Sequence, residues 1–144
     1  MNDALAKALH ARIAASAVAA IVGARIYRRG FVPETPTLPY LAYFEVSSVH
    51  YRTAAGGSGL ADTRIQIDGY CDTDAQARAL DDALRECLDN FTGTMGAGPN
   101  MIHVNHCGLD NGSDFADVPR HGQEFGQVGI THDYVIQHTE SATP

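Results

Sequence analysis

A hydrophobic residue recurs at every fourth position near the N-terminus. Leu5, Leu9 and Ile13 lie at this spacing, which places all three on one face of a helix. Asn2 or Asp3 precedes them, and short polar side chains of this kind cap the first free backbone N–H groups of a helix. The pattern therefore predicts an N-terminal helix with one buried stripe.

The residues after this helix carry signals that end helices. Ser16 can cap a second short helix that closes at Gly23 in a left-handed conformation, or one unbroken helix continues to Val22. From position 31 to 40 three prolines follow, and each one removes a backbone donor and disfavours helical geometry in the preceding residue. We expect this stretch to be an extended loop.

A second helical pattern follows Thr73. Apolar side chains recur there at intervals of three and four, and they form the stripe Ala77, Leu80, Leu84, Cys87 or Leu88, and Phe91. Thr73 and Gln76 occupy the positions of a capping box, in which the hydroxyl accepts from the Gln76 N–H and the Gln76 side chain reaches back. The pattern predicts a capped central helix that ends near Gly93.

Alternating, β-branched and aromatic residues predict strands at 41–51, 63–71, 101–109 and 127–138. The order of elements indicates an α+β domain of residues 1–138, with an antiparallel four-stranded sheet and both helices packed on one face. The glycine-rich stretch 53–62 is expected to be a flexible hairpin connection. The long polar stretch 110–126 is expected to be a contact loop or disordered, and residues 139–144 a disordered tail.

Polarity alternates along the second predicted strand. Ile65 and Ile67 share one side with Gly69 and Cys71, whereas the opposite side carries Arg64, Gln66 and Asp68. The apolar side is expected to face the core. The polar side of the sheet is therefore expected to be exposed to solvent or in contact with a partner.

Composition and charge exclude several classes of protein. No run of about 18 apolar residues could cross a membrane, and the mixed N-terminal sequence differs from a secretion signal. The formal net charge is −7 and basic residues are dense only at Arg25, Arg28 and Arg29, so tight phosphate binding is not expected. Three cysteines without a CxxC pair argue against a disulfide framework and fit a reducing cytoplasm.

The stretch RIQIDGYCDTDAQ, residues 64–76, crowds acids and a thiol into one strand-to-helix corner. Asp72 and Asp74 flank Thr73 at the start of a helix, where a carboxylate gains about 0.3–1 kcal/mol from the helix dipole. Cys71 falls on the apolar side of its strand and behaves there as a small hydrophobe. We interpret this corner as a structural junction between strand and helix, and not as a catalytic site.

The histidines give a competing interpretation, a small metal-dependent enzyme that uses His103, His106, Cys107 and His132. On a strand, His103 and Cys107 would share a face while His106 points away, so a tetrahedral site would need His132, His138 or His50 from neighbouring strands. No GxSxG, HExxH, P-loop or GxGxxG pattern occurs. We therefore expect no catalytic residue, no cofactor and no metal.

Two segments, LADTRIQID at 60–68 and TDAQARAL at 73–80, resemble the tail completion, or tail terminator, proteins of long-tailed bacteriophages. VGARIY at 22–27, LPYLAY at 38–43 and the segment 129–138 are also similar to this family. The similarities span about residues 5–138 in the family's order. The family often carries an aromatic residue such as tryptophan after the strand's Asp, whereas here Gly69, Tyr70 and Cys71 follow Asp68 and the chain has no tryptophan. The chain also departs from the family at 110–126.

The resemblance implies a structural virion protein with no enzymatic activity, assembled in the cytoplasm of the host bacterium. Such a protein forms a ring, expected to be hexameric, at the head-proximal end of the tail. Its partners would be further copies of itself, the major tail tube protein and a head-tail connector or stopper protein. DNA would only pass through the ring, and no membrane is involved. Another connector component, a stopper or head-completion protein, is the closest alternative.

We expect the contacts between subunits, or with the tail tube, to use residues of the polar strand side and of the two loops. These are Tyr51, Arg52, Leu60, Arg64, Gln66, Asp68, Phe115, Arg120 and Phe125. The acidic balance of the chain suits a channel for DNA because carboxylates repel phosphates.

Overall fold

The computed structural model describes residues 2–116 and 128–140. It is an α+β fold, which confirms the predicted class. The helices are α1 (Asp3–Ala14), α2 (Ala19–Val22) and α3 (Asp74–Leu88). One six-stranded sheet has the order β1-β2-β3-β6-β5-β4, and its strands are β1 (Ile26–Arg28), β2 (Tyr40–Thr53), β3 (Gly56–Cys71), β4 (Phe91–Met95), β5 (Ile102–Ala116) and β6 (Val128–Thr139).

The prediction of four antiparallel strands was wrong at both edges of the sheet. β1 adds to one edge, and it runs parallel to β2 with Ile26 opposite Leu41. β4 adds to the other edge, antiparallel to β5. β1 spans three residues and β4 contains Gly93, so neither displays an alternation long enough to detect in the sequence.

The glycine-rich stretch predicted to be a flexible connection is largely strand. The β2–β3 hairpin forms as expected, but its ladder continues to Arg52 opposite Gly57 and Thr53 opposite Gly56. Backbone pairing needs no side chain, so glycines can extend a ladder that longer flanking strands have begun. In the same way residues 110–116, predicted to be a loop, continue β5 along β6.

Both helix caps are at the predicted positions. The Asn2 side chain accepts from the Leu5 N–H at 2.8 Å, and Thr73 Oγ1 accepts from the Gln76 N–H at 3.2 Å. The Gln76 side chain reaches one residue further back than a capping box requires, because it accepts from the Asp72 N–H at 3.1 Å.

The chain breaks between α1 and α2, which confirms the two-helix interpretation. Ser16 Oγ accepts from the Val18 N–H at 3.2 Å, and Gly23 follows α2 with φ of 62°. With ψ of −134°, Gly23 has a positive φ but not the predicted left-handed helical conformation, and glycine adopts this geometry without the steric cost that a Cβ would add.

The hydrophobic core lies between the helices and one face of the sheet. The predicted stripes of both long helices are buried: Leu5, Leu9, Ile13, Ala77, Leu80, Leu84, Cys87 and Leu88. α3 packs directly on the backbone of β3, since a Cβ at Gly69 would approach Leu80 Cδ2 to 2.5 Å. α3 ends at Leu88 rather than near Gly93, and Phe91 packs on the core from β4.

Candidate assembly interface

The face of the sheet opposite the core is predominantly polar. Strict alternation along β3 and β6 sends every second side chain to it, and paired residues share a side: Arg64 is opposite Val135 and Gln66 is opposite Asp133. We call this surface the polar sheet face, and its described members are Tyr51, Leu60, Asp62, Arg64, Gln66, Asp68, Tyr70, Phe115, Thr131, Asp133, Val135 and Gln137.

Six of the predicted contact residues therefore meet on one surface: Tyr51, Leu60, Arg64, Gln66, Asp68 and Phe115. Arg52 lies outside this group, at the exposed end of the β2–β3 hairpin. Arg120 and Phe125 lie outside the described residues. The structure thus collects most of the predicted set through strand alternation, although these residues are up to 64 positions apart in sequence.

Hydrogen bonds hold the polar side chains of this face in fixed orientations. Arg64 Nη1 donates to Asp110 Oδ2 at 2.6 Å, and Gln66 Nε2 donates to Asp68 Oδ1 at 3.0 Å. The Tyr51 hydroxyl donates to Asp62 Oδ2 at 2.5 Å, and this bond raises the pKa of Tyr51. Exposed pairs of this kind contribute little to stability, so their main effect is to organise the surface.

Two carboxylates of the polar sheet face each have an oxygen without a hydrogen-bond donor. Within the described residues, Asp62 Oδ1 and Asp133 Oδ1 are covered by protein and make no hydrogen bond. A covered acceptor without a partner costs about 1–3 kcal/mol. Because neither oxygen is exposed, this cost falls within the subunit and neither atom offers a direct contact to a partner.

An aromatic strip crosses one end of this face. Its rings are Tyr27, Tyr40, Tyr70 and Phe115, with successive centroid distances of 6.1, 4.9 and 5.4 Å. The strip runs from β1 to β5 and passes over β6 at Gly129, where the absence of a side chain leaves room for the Phe115 ring. Phe115 is therefore half-buried and is oriented by its neighbours.

The end of the β2–β3 hairpin extends beyond the rest of the sheet. β6 ends at Thr139, opposite Leu60, and the Glu140 N–H donates to the Gly59 carbonyl at 2.8 Å. Past this point only β2 and β3 pair with each other, and residues 51–59 are exposed. We call residues 51–59 the hairpin tip.

The strand-to-helix corner at 64–76 contains no activated group. Cys71 is completely buried, and burial, followed by the charge of Asp72, raises the pKa of its thiol to about 11. Asp74 accepts from Arg78 Nε at 2.7 Å one turn along α3. A neutral buried thiol is a poor nucleophile, so this corner serves the architecture of the strand-to-helix junction.

The predicted arrangement of His103 and Cys107 on one face was wrong. Val104 pairs with His138 and His106 pairs with Gln137, so Asn105 is an extra residue that forms a β-bulge. The bulge turns Cys107 into the core while His103 and His106 stay exposed. The potential metal ligands still point in different directions, as expected, but His103 and His106 are exposed while Cys107 is buried.

The buried histidines have structural partners. His132 Nε2 lies 2.5 Å from Asp81 Oδ1, and its Nδ1 lies 2.9 Å from the Tyr134 hydroxyl. His138 Nδ1 donates to the Thr139 carbonyl and its Nε2 lies 2.7 Å from Thr63 Oγ1. In residues 2–116 and 128–140, no group of three or more His, Cys, Asp or Glu side chains is placed to hold a metal ion.

Sequence reasoning missed several members of the polar sheet face. Asp62 could have been found, because it lies two positions before Arg64 and the alternation extends to it. Tyr27 and Tyr40 of the aromatic strip could not, since Tyr27 joins the surface through the pairing of β1 with β2 and Tyr40 through the pairing of β2 with β3. The two-residue period of a strand reveals side-chain direction but not which distant strand lies beside it.

The chain is similar to known proteins in both sequence and fold. The model of the family described as tail completion protein gp17 matches residues 7–112. A chain from a solved structure titled "Virion of native gene transfer agent (GTA) particle" has a TM-score of 0.65 and 20% sequence identity, and the match covers 96% of this chain and 99% of that chain. No curated protein matches. Among the described helices, none has both the length and the apolar character that a membrane span requires.

Proposed function

This chain belongs to the tail completion protein gp17 family, and on that premise we propose that it forms a ring at the head-proximal end of the tail tube. The ring ends tube growth and presents the surface to which the head docks. Family membership makes the chain a structural component of a bacteriophage tail, and it confirms the expected non-enzymatic role.

The observation that supports the proposal most directly is the difference in composition between the two faces of the sheet. One face holds the helices and the core, while the other collects the polar sheet face and the aromatic strip, fixed by mutual contacts. A surface whose side chains are already oriented loses less conformational entropy when a partner binds. This favours a permanent assembly role for the polar sheet face.

The partners proposed are further copies of the chain, expected to form a hexamer, the major tail tube protein and the head-tail connector or stopper protein. On the polar sheet face, Arg64 and Gln66 are partly exposed and would contact one of these partners. The hairpin tip, with Arg52, supplies a second contact that reaches past the body of the subunit.

Shortening the hairpin tip tests the assembly role. Replacing residues 52–59 by a two-residue Asn-Gly turn should preserve the hairpin, because it puts Tyr51 opposite Leu60 in register with His50 opposite Ala61 and this turn suits antiparallel strands. We expect unchanged thermal unfolding but weaker assembly on purified tail tubes and weaker head joining. Tubes are needed because such rings can require a template. Unchanged assembly and unchanged joining would refute a role for the tip.

A point substitution tests the polar sheet face separately. Arg64→Ala removes the ion pair with Asp110, and Lys7→Ala removes a more exposed pair with Asp3 on α1. Each change should cost less than about 1 kcal/mol of stability. Only Arg64→Ala should reduce binding to tubes. If the purified chain bound connector components and never tubes, the function of a stopper or head-completion protein would replace the terminator role.

DNA is proposed to pass through the ring without being held. The net charge of −7 disfavours the phosphate contacts and counterion release that drive duplex binding. We expect no measurable affinity for duplex DNA at physiological salt in a fluorescence anisotropy titration. Binding under these conditions would contradict a channel lined by repelling charge.

A further inference from the structure

The two edges of the sheet differ in shape and charge. Phe31 follows β1 at one edge and is 74% exposed, beside the exposed Arg28 and Arg29. At the other edge α1, α3 and β4 enclose an open groove of about 650 Å³. Small side chains dominate its lining: Ala11, Ala15, Ala17, Ala83, Gly96 and Ala97.

The groove suits an apolar side chain that arrives with positive charge. Met95 and Cys87 contribute buried apolar surface to its lining. Glu86 stands at its rim, and Asp82 lies one turn away on the same exposed side of α3. Neither carboxylate forms an ion pair within the described part of the chain.

Arg12 lines the groove, and its guanidinium already makes contacts within its own subunit. Arg12 Nε donates to the Cys87 carbonyl at 2.9 Å, and its guanidinium carbon lies 3.5 Å from the centroid of the Phe91 ring. This arrangement leaves Glu86 and Asp82 as the unpaired exposed charges on the groove side of α3, because the exposed Arg85 lines the other side of the helix near Asp114 and His132. The exposed Arg78 is paired with Asp74. The charge at that rim is therefore favourable to Arg28 and Arg29, which precede Phe31. The Arg29 guanidinium carbon also lies 4.4 Å from the centroid of the Phe44 ring, so Arg28 is the freer of the two.

We propose that Phe31 of one copy inserts into the groove of the next copy, with Arg28 and Arg29 against Asp82 and Glu86. This contact rests on the ring proposed above and identifies the surfaces that would build it. The two surfaces are different and lie at opposite edges of the sheet, so the contact is heterologous. A heterologous contact repeats in one direction and closes into a ring when its rotation permits.

The first test is Phe31→Asp in the full chain, compared with Phe31→Leu. Because Phe31 is exposed in the subunit, both variants should unfold at the wild-type temperature. We expect Phe31→Asp to reduce the fraction of chains in rings on purified tail tubes at least tenfold, measured by negative-stain electron microscopy and sedimentation. Phe31→Leu should retain most of the wild-type assembly.

Charge reversal tests the pairing of the rims. Glu86→Arg and Arg28→Glu should each weaken ring formation severalfold, and the double variant should recover it. Arg85→Glu, at an exposed position on the side of α3 that faces Asp114 and His132, serves as the matched control and should assemble like the wild type. Recovery in the double variant would identify the two rims as direct partners, and the absence of recovery would contradict the pairing.

Chemical cross-linking tests where the contact lies. In a chain that carries both Phe31→Cys and Ala83→Cys, a short bis-maleimide should cross-link neighbouring copies on tubes. The products should form a ladder of covalent oligomers. If wild-type rings form but Phe31→Asp assembles normally and no ladder appears, this contact is overturned while the ring stands. If the wild type forms no ring even on tubes, the ring is overturned and the contact with it.

Discussion

The Phe115 ring lies over Gly129 so closely that a Cβ at position 129 would come within 2.4 Å of Phe115 Cζ and 2.0 Å of the Gly69 carbonyl oxygen. Glycine at this site lets one end of the aromatic strip cross β6. The packing of three strands, β3, β6 and β5, therefore depends on a position that has no side chain.

Gly129→Ala should destabilise the protein by about 1–3 kcal/mol, the usual cost of overpacking, with the backbone contact favouring the upper end. Urea unfolding followed by circular dichroism measures the change. Gly112→Ala is the matched control, since a Cβ there meets only ordinary contacts with His132 and Leu109. A Gly129→Ala variant as stable as the control would show that the strip does not constrain the sheet.

The cap of α3 should have a measurable effect on stability. Thr73→Ala removes the acceptor of the Gln76 N–H and should lower the free energy of unfolding by about 1 kcal/mol. Asp72→Asn removes only a favourable charge near the helix start, worth about 0.3–1 kcal/mol. Chemical denaturation of both variants gives the comparison. A larger loss for Asp72→Asn than for Thr73→Ala would reverse the assignment of roles at this corner.

The stability of the protein should fall as the solution is acidified below neutrality. Burial lowers the pKa of His138 from its ordinary value of 6.5, so the unfolded state takes up this proton first as pH falls. The stabilising contribution is complete above about pH 6.5 and is lost as the pH falls towards the folded-state pKa, with a slope of at most about 1.4 kcal/mol per pH unit.

Unfolding free energies between pH 7.5 and 5 should show this slope in the wild type. His138→Gln should reduce the slope, whatever its effect on stability at pH 7.5, whereas His103→Gln at an exposed site should preserve it. The comparison is between slopes because the first variant also loses the bonds to Thr63 and Thr139. An identical slope in His138→Gln would contradict the prediction.

Thiol reagents should reach Cys71 and Cys107 only when the protein opens. Burial raises the pKa of Cys71 to about 11 and of Cys107 to about 12, so at pH 8 only about one Cys71 thiol in a thousand would be ionised. Labelling followed by mass spectrometry should be orders of magnitude slower in the folded protein than in urea. Rapid modification of Cys71 in the folded protein would contradict the structural role assigned to this corner.

The helices were predictable because local chemistry decides them. The caps at Asn2 and Thr73 satisfy free N–H groups near the start of each helix, and the four-residue repeat of Leu5 and Leu9 needs no information about distant strands. The polar side of β3 was predictable for the same reason. The extension of this polar surface over β6 and β5 was not predictable, because no local pattern specifies which strands pair with each other.

The edges of the sheet were not predictable because their strands are defined by pairing. Ile26–Arg28 is a strand because β2 offers it a parallel partner, and Gly56–Gly59 continues β3 because β2 runs beside it. In both places the backbone supplies the hydrogen bonds, so the composition of the side chains carries little signal. The candidate contact between Phe31 and the groove depends on these same unpredicted edges.

Asn105 keeps the residues after it in phase with β6. Because it is the extra residue of the bulge, Val104 and Cys107 both reach the core although they are three positions apart. Deleting Asn105 would restore regular pairing and leave Cys107 inside. If Asn105 instead paired with Gln137, inside and outside would be exchanged until the next irregularity, at Asp110. Cys107 would then face solvent and His106 the interior, with no change in which amino acids are present.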